Sequence, residues 1–193
     1  LSREIAFPGR DNELNIEALQ RQDALEFERL YQIYAPGVRL YIRRLCGDSE
    51  LADDLLQETF VKAYRALPRT RPDLSPRPWL YKIATNMVRS TLRLTQWKRV
   101  LPFSIKPPEE QPDNQTMEND YAEAELVERA LATIKPEYAA PLLLHWREGF
   151  SIEEAGVILG LSKENLKKRL YRAKKAFGEA YTRECARTEG GSY

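Results

Sequence analysis

Cysteine is almost missing from these 193 residues: Cys46 and Cys185 are the whole supply, far apart in sequence, and they form neither a disulfide framework nor metal-ligand spacing. Histidine occurs once, at His145, and with two remote thiols it cannot assemble a zinc site. There is no Ser/His/Asp set, no glycine-rich phosphate loop and no ligand cluster, so the chain is not expected to be an enzyme or to carry a cofactor. No stretch approaches the roughly 20 apolar residues of a membrane-spanning helix, and the first residues lack an apolar signal core. A cytoplasmic location without membrane insertion is the expectation. Nine glycines and twelve prolines exclude a collagen-like or low-complexity chain. Strand signals are missing too, because no run of alternating β-branched residues is bounded by turn dipeptides.

What is present is 42% hydrophobic and 31% charged residues, the composition of a globular protein with room for one large or two small domains. The net charge of +1 conceals segregation. Residues 69–99 hold eight basic groups against one acid, 100–125 hold seven acids against Lys106, and 163–175 hold seven bases against Glu164. Two cationic stretches flanking an anionic one suggest two places of contact with a polyanion, or two solvated helix faces.

Apolar spacing is helical throughout. Phe27, Leu30, Tyr31, Tyr34 and Val38 follow i, i+3, i+4, i+7, with a break or first turn expected at Pro36, which lacks an N–H. Cys46-Gly47-Asp48-Ser49 reads as a stop and a capped restart. A helix is predicted from about Glu50 to Leu67. Four prolines interrupt residues 68–78, and a helix is predicted from Trp79 to about Leu94. Residues 102–120 are rich in proline and acid and read as a linker. Helical pattern resumes near Tyr121, and Pro136 opens a further helix to about Arg147.

The segment Glu148 to Tyr181 carries a sharper pattern. Ser151 with Glu154 forms a capping box, a short helix follows, Gly160 supplies a turn, and Ser162 caps a long helix. That helix has an inward seam of Leu166, Leu170, Ala173 and Phe177. The spacing is that of a helix-turn-helix whose second helix presents long donors and positive charge to a DNA major groove, against the plainer reading of a basic amphipathic helix. Ser162, Lys163, Asn165, Lys167, Lys168, Arg169 and Arg172 are the candidate reading residues.

The residues before the linker then resemble a known family. Asp54-Leu-Leu-Gln57-Glu58-Thr-Phe60-Val-Lys-Ala-Tyr64, the Pro/Arg loop, and Trp79-Leu80-Tyr81-Lys82-Ile83-Ala84-Thr85-Asn86 are similar to region two of bacterial sigma factors of the extracytoplasmic function (ECF) family, in the sigma-70 superfamily. Leu131 to Ala173, with Gly149-Phe150-Ser151-Ile152-Glu153-Glu154 and Leu161-Ser162-Lys163-Glu164-Asn165-Leu166, is similar to region four. The resemblance implies an all-α fold of two small helical domains, a region-two bundle over 20–97 and a region-four helix-turn-helix over 122–186, joined by a flexible acidic linker over 98–121. It implies a subunit that binds core RNA polymerase, directs it to −10 and −35 promoter elements, and is held inactive by an anti-sigma factor.

On that resemblance, Asp54, Gln57, Glu58 and Val61 dock on core polymerase. Arg71, Arg77, Lys82, Asn86, Arg89 and Arg93 read the single-stranded −10 element, with Asn86 at a base edge. The helix from Ser162 to Arg172 reads the −35 duplex. Trp79 is a stacking candidate whose place on the apolar stripe favours a core anchor. The chain departs from the family at Ser90, where an acid is common, at Ala155-Gly156 in place of Ile-Ala, and at Glu164-Asn165-Leu166 in place of Gly-Thr-Val. A free-standing helix-turn-helix regulator is the alternative, and a helical adaptor for acidic proteins is a weaker one.

Overall fold

The computed structural model describes residues 14–98 and 118–189, and among them every regular element is helical. The N-terminal unit comprises α1 (Ile16–Gln20), α2 (Ala24–Cys46), α3 (Ser49–Ala66) and α4 (Pro76–Lys98). The C-terminal unit comprises α5 (Glu118–Thr133), α6 (Pro136–Leu142), α7 (Ile152–Leu159) and α8 (Lys163–Glu189). Most of the expected acidic linker, 99–117, lies outside the described residues.

Helices α2, α3 and α4 pack on one another around Leu30, Val38, Tyr41, Ile42, Leu55, Phe60, Leu80 and Val88. Asp23 caps the start of α2, and Gly47, at φ 71°, ends it in the left-handed conformation that Gly adopts without steric cost. Asp48 then caps α3 through the Leu51 N–H. The break expected at Pro36 does not occur: α2 runs through it as one helix. A proline inside a helix costs about 3 kcal/mol. Here Tyr34, Ala35 and Val38 are buried around it, and packing on α3 and α4 holds the helix together. Helix α4 begins three residues earlier than expected, at Pro76, because a proline in the first helical turn gives up an N–H that would be unpaired anyway.

Short α1 is tied down by side chains. The Glu26 carboxylate, itself buried, accepts from the Asn15 N–H at 2.7 Å, and the Gln20 amide donates to the Thr70 carbonyl at 2.9 Å. Within the bundle the Tyr41 and Thr85 hydroxyls share a buried hydrogen bond of 2.9 Å.

In the C-terminal unit α5 and α6 lie along α8, and α7 closes the motif. The expected capping box is present: Ser151 accepts from the Glu154 N–H, and the Glu154 carboxylate accepts from the Ser151 N–H. Gly160 sits at φ 67°, and the Ser162 hydroxyl accepts from the Asn165 N–H at 3.3 Å. Between α6 and α7 the backbone makes one wider π turn, Leu143–Arg147. The expected inward seam of α8 is seen, with Leu166, Leu170 and Ala173 buried and Phe177 packed beside them.

The unusual Gly156 has a steric reason. A Cβ there would stand 2.9 Å from the Leu161 carbonyl oxygen, since the turn folds back so that the Leu161 N–H can reach the Gly156 carbonyl. Helix propensity alone would favour Ala by about 1 kcal/mol. Overpacking against backbone costs about 1–3 kcal/mol. Gly156→Ala should therefore lower the thermal midpoint, read by circular dichroism, and a rise would show that the turn yields freely.

Candidate nucleic-acid interface

Three charged faces can now be placed. On α3, Asp54, Gln57, Glu58 and Val61 are all exposed and line one shallow depression with Lys62 and Arg65. Their i, i+3, i+4, i+7 spacing makes them a continuous face, while Leu55, Leu56, Thr59 and Phe60 on the other side are buried. Asp53, at the edge of this face, is held by both nitrogens of an Arg39 fork at 2.5 and 2.9 Å. That hydrogen-bonded guanidinium keeps the Asp53 carboxyl below the usual aspartate range.

The second face is on α4. Lys82, Asn86, Arg89 and Arg93 recur at i, i+4, i+7, i+11 and so form one row. Lys82, Asn86 and Arg93 are exposed, whereas Arg89 is half-buried and donates to the Leu159 carbonyl of α7 at 3.0 Å. Arg71 is exposed in the preceding loop beside Asp73. Arg77 is not free: its guanidinium donates to the Glu148 carbonyl and lies 4.2 Å over the Phe150 ring. Thus the structure brings Lys82, Asn86 and Arg93 to one open row, and it engages Arg77 and Arg89 with the other unit. Trp79 is half-buried against the core, as its place on the apolar stripe suggests.

The third face is the start of α8. Ser162, Lys163, Asn165, Lys167, Lys168 and Arg172 are exposed, and Arg169 is half-buried. Lys163 is paired with Glu153 of α7, which ties the start of α8 to α7. Asn165, Lys168, Arg169 and Arg172 line one open groove with Tyr138. Tyr171, absent from the sequence expectation, is 76% exposed on the same helix. Its position four residues after Lys167 and three after Lys168 is a spacing signal that could have placed it there.

The units meet along α4. Helix α4 packs on α7, and α2 touches α5 and α6. Arg44 of α2 holds both carboxylate oxygens of Glu128 at 2.9 Å or less while its own side chain is nearly buried. The Tyr81 hydroxyl donates to Glu148 Oε2 at 2.5 Å. Burial, and then the Glu148 charge, push that hydroxyl's pKa above the usual tyrosine range, so it stays a donor. Between the units runs a groove of about 800 Å3 whose lining includes Asn86, Arg89, Arg93, Lys135 and Arg169. Burial lowers the Arg89 pKa, and repulsion from Arg169 and Arg93 adds to it. Glu148, Phe150, Arg44 and Glu128 have no local sequence signal, because each meets its partner across 67 or more residues.

The other tempting residues have ordinary settings. His145 Nδ1 donates to the Phe150 carbonyl at 2.8 Å, and the Cys46 thiol, its pKa raised by burial, donates to the Asp48 carbonyl at 3.2 Å. Among the described residues no helix is long and apolar enough to cross a membrane.

Comparison with known proteins places the chain among known families. The sequence model described as Sigma-70 region 2 matches residues 30–98, and that described as Sigma-70, region 4 matches residues 124–177. RNA polymerase sigma factor CarQ of Myxococcus xanthus is 31% identical over 159 residues, spanning 78% of this chain and 85% of that protein. RNA polymerase sigma-H factor of Pseudomonas aeruginosa is 28% identical over 183 residues, spanning 86% of this chain and 91% of that one. The solved sigma factor RpoE, in complex with the anti-sigma factor NepR from Bartonella quintana, superposes with a TM-score of 0.69 at 21% identity. That superposition covers 81% of this chain and 97% of the other, and at such identity it speaks to the fold.

The Glu153–Lys163 pair can be read directly. Lys163 lowers the Glu153 pKa, mainly through the side-chain hydrogen bond. The pair's stabilisation is therefore present above the ordinary glutamate pKa and is lost as the pH falls through the lowered value. In Lys163→Gln the Glu153 carboxyl should titrate upward toward its ordinary 4.5, followed by carboxyl-carbon NMR. An unmoved titration would mean that the pair does not form in solution.

Proposed function

The chain belongs to the ECF sigma factors of the sigma-70 superfamily, and from that premise we propose how its surfaces divide the work of transcription initiation. The acidic α3 face of Asp54, Gln57, Glu58 and Val61 docks on core RNA polymerase, where carboxylates and an amide suit a basic partner. The α4 row and its leading loop take the melted −10 strand. Unstacked bases need hydrogen-bonding edges and a positive groove, and Asn86 can both donate and accept while Lys82, Arg71 and Arg93 meet phosphates. Arg77 and Arg89 join them once α7 and its preceding turn move away. The exposed turns of α8 read the −35 duplex through Asn165, Lys167, Lys168 and Arg172, with Ser162, Lys163 and Arg169 at the margins.

One observation carries this reading: an exposed acidic face and two exposed cationic helix rows stand on one chain, each on a different helix. A free-standing regulator needs the second cationic row but not the other two faces. The two units are taken as residues 20–97 and 122–186, with 98–121 between them. An anti-sigma partner is part of the proposal, because the Bartonella quintana sigma factor that shares this fold was solved with one. A partner of RNA polymerase works in the cytoplasm.

The tests are separable by face. Asn86→Ala should leave polymerase affinity unchanged and reduce promoter opening, measured by permanganate footprinting. Equal loss of both would remove Asn86 from base reading. Lys168→Ala should weaken −35 duplex binding by the holoenzyme by about 1–3 kcal/mol if it contacts a base, measured by gel shift at fixed salt.

A further inference from the structure

The junction at the start of α4 is chemically specific. Arg77 receives three things from one turn of the C-terminal unit: the Glu148 carbonyl as acceptor, the Glu148 carboxylate at 4.0 Å, and the Phe150 ring 4.2 Å beneath its guanidinium. Tyr81, one helical turn on, donates to the same carboxylate and meets the same ring edge-on at 5.0 Å. An acceptor, an anion and a flat ring are also what a single DNA strand offers: base edge, phosphate and base face. A guanidinium over a ring, with its N–H groups on an oxygen, is the usual way Arg receives them.

The turn is built ahead of this contact. The Glu148 N–H bonds to the Leu143 carbonyl, the Phe150 N–H to the Leu144 carbonyl, and Gly149 at φ +71° reverses the chain between them. His145 holds the Phe150 carbonyl from the other side. The Glu148 side chain is 9% exposed, and both Tyr81 and Arg77, its partners, belong to the N-terminal unit. A buried carboxylate costs free energy unless it is hydrogen-bonded. When the units separate, Glu148 returns to water and the cost disappears.

We propose that the Glu148–Phe150 turn is an internal mimic of the non-template strand: in the closed chain it occupies Arg77 and Tyr81, and promoter DNA must displace it. Tyr81 thereby joins the −10 contact surface. The inference rests on the promoter-reading assignment above. It adds that closure and −10 reading compete for the same two side chains.

The test uses the full chain and, as probe, a labelled random-sequence single strand of about 12 nucleotides. Fluorescence anisotropy reads affinity and small-angle scattering reads opening. Glu148→Ala should enlarge the radius of gyration and tighten strand binding about tenfold, since unmasking a competitor raises apparent affinity in proportion to the open fraction. Adding Arg77→Ala to that variant should remove the gain, and Arg77→Ala alone should not tighten binding. Tyr81→Phe keeps the buried ring and deletes only the hydroxyl, so it should open the chain without depending on how the turn tolerates Ala. Unchanged scattering and affinity in both Glu148→Ala and Tyr81→Phe would overturn the proposal. So would opening of Glu148→Ala without tighter strand binding, which would make the turn a clamp that DNA ignores. Run-off transcription with core polymerase separates the two readings. If the chain fails to support transcription while the strand result holds, the sigma assignment of its faces falls. If transcription proceeds and the strand result fails, only the mimic falls.

Discussion

The contact on which the rest depends is the hydrogen bond from Tyr81 to Glu148, because Tyr81 stands on the seam of α4. Its ring packs at 5.2 Å from Tyr41, inside the N-terminal core, while its hydroxyl leaves that core for the C-terminal unit. The seam is tight. A Cβ on Gly37 of α2 would come within 3.0 Å of the Tyr81 oxygen, so the absence of a side chain there sets where the hydroxyl points. Core packing, helix-to-helix spacing and the closed arrangement of the two units are thus linked through one phenol. The buried Arg44–Glu128 fork holds the other end of the junction.

Closure has an electrostatic cost that the same contacts offset. Bringing the units together places Arg89 and Arg93 of one cationic row and Arg169 of the other along the same groove. Like charges repel, and burial of Arg89 adds to the penalty. Against this stand two carboxylates, Glu128 and Glu148, each engaged by an arginine from the opposite unit. The chain's near-zero net charge matters here. Two cationic heads on one molecule can approach only if anions come with them, and these anions lie in the C-terminal unit.

Much of this is legible in the sequence. Helix ends announced themselves through Gly47, Asp48, Ser151, Glu154, Gly160 and Ser162, because caps and left-handed turns are local chemistry with few suitable residues. The α3 face was legible because its i, i+3, i+4, i+7 spacing leaves polar residues on one side and apolar ones on the other. Pro36 misled, since local propensity argues for a break and only burial on two sides holds the helix through it. Gly156 is a departure from the family's pattern, and the carbonyl of Leu161, five residues ahead, is the steric reason for it. Phe150 is visible only as part of the region-four pattern and Glu148 only as the start of the segment that carries it. Their contacts depend on a surface far away in sequence. Arg77 and Arg89 were chosen for their charge, which was visible. That both are engaged by the second unit was not, because such contacts follow from how two separately folded units dock.

The two claims on Arg77 respond differently to their surroundings, and this gives the competition a direction. A DNA strand is held largely by phosphate charge, so its binding weakens steeply as salt rises. The turn offers a neutral carbonyl, a ring and one partly buried carboxylate, and contacts of that kind are screened much less. The internal ligand therefore gains on DNA as ionic strength increases. Polymerase docking through the α3 face, as proposed, would not touch Arg77 or Tyr81, so it would not remove the turn by contact. It can do so only by holding the two units apart, in an arrangement the junction does not permit. Binding at one face would then be coupled to reading at another with no change inside either unit, and the coupling would equal the free energy of the junction.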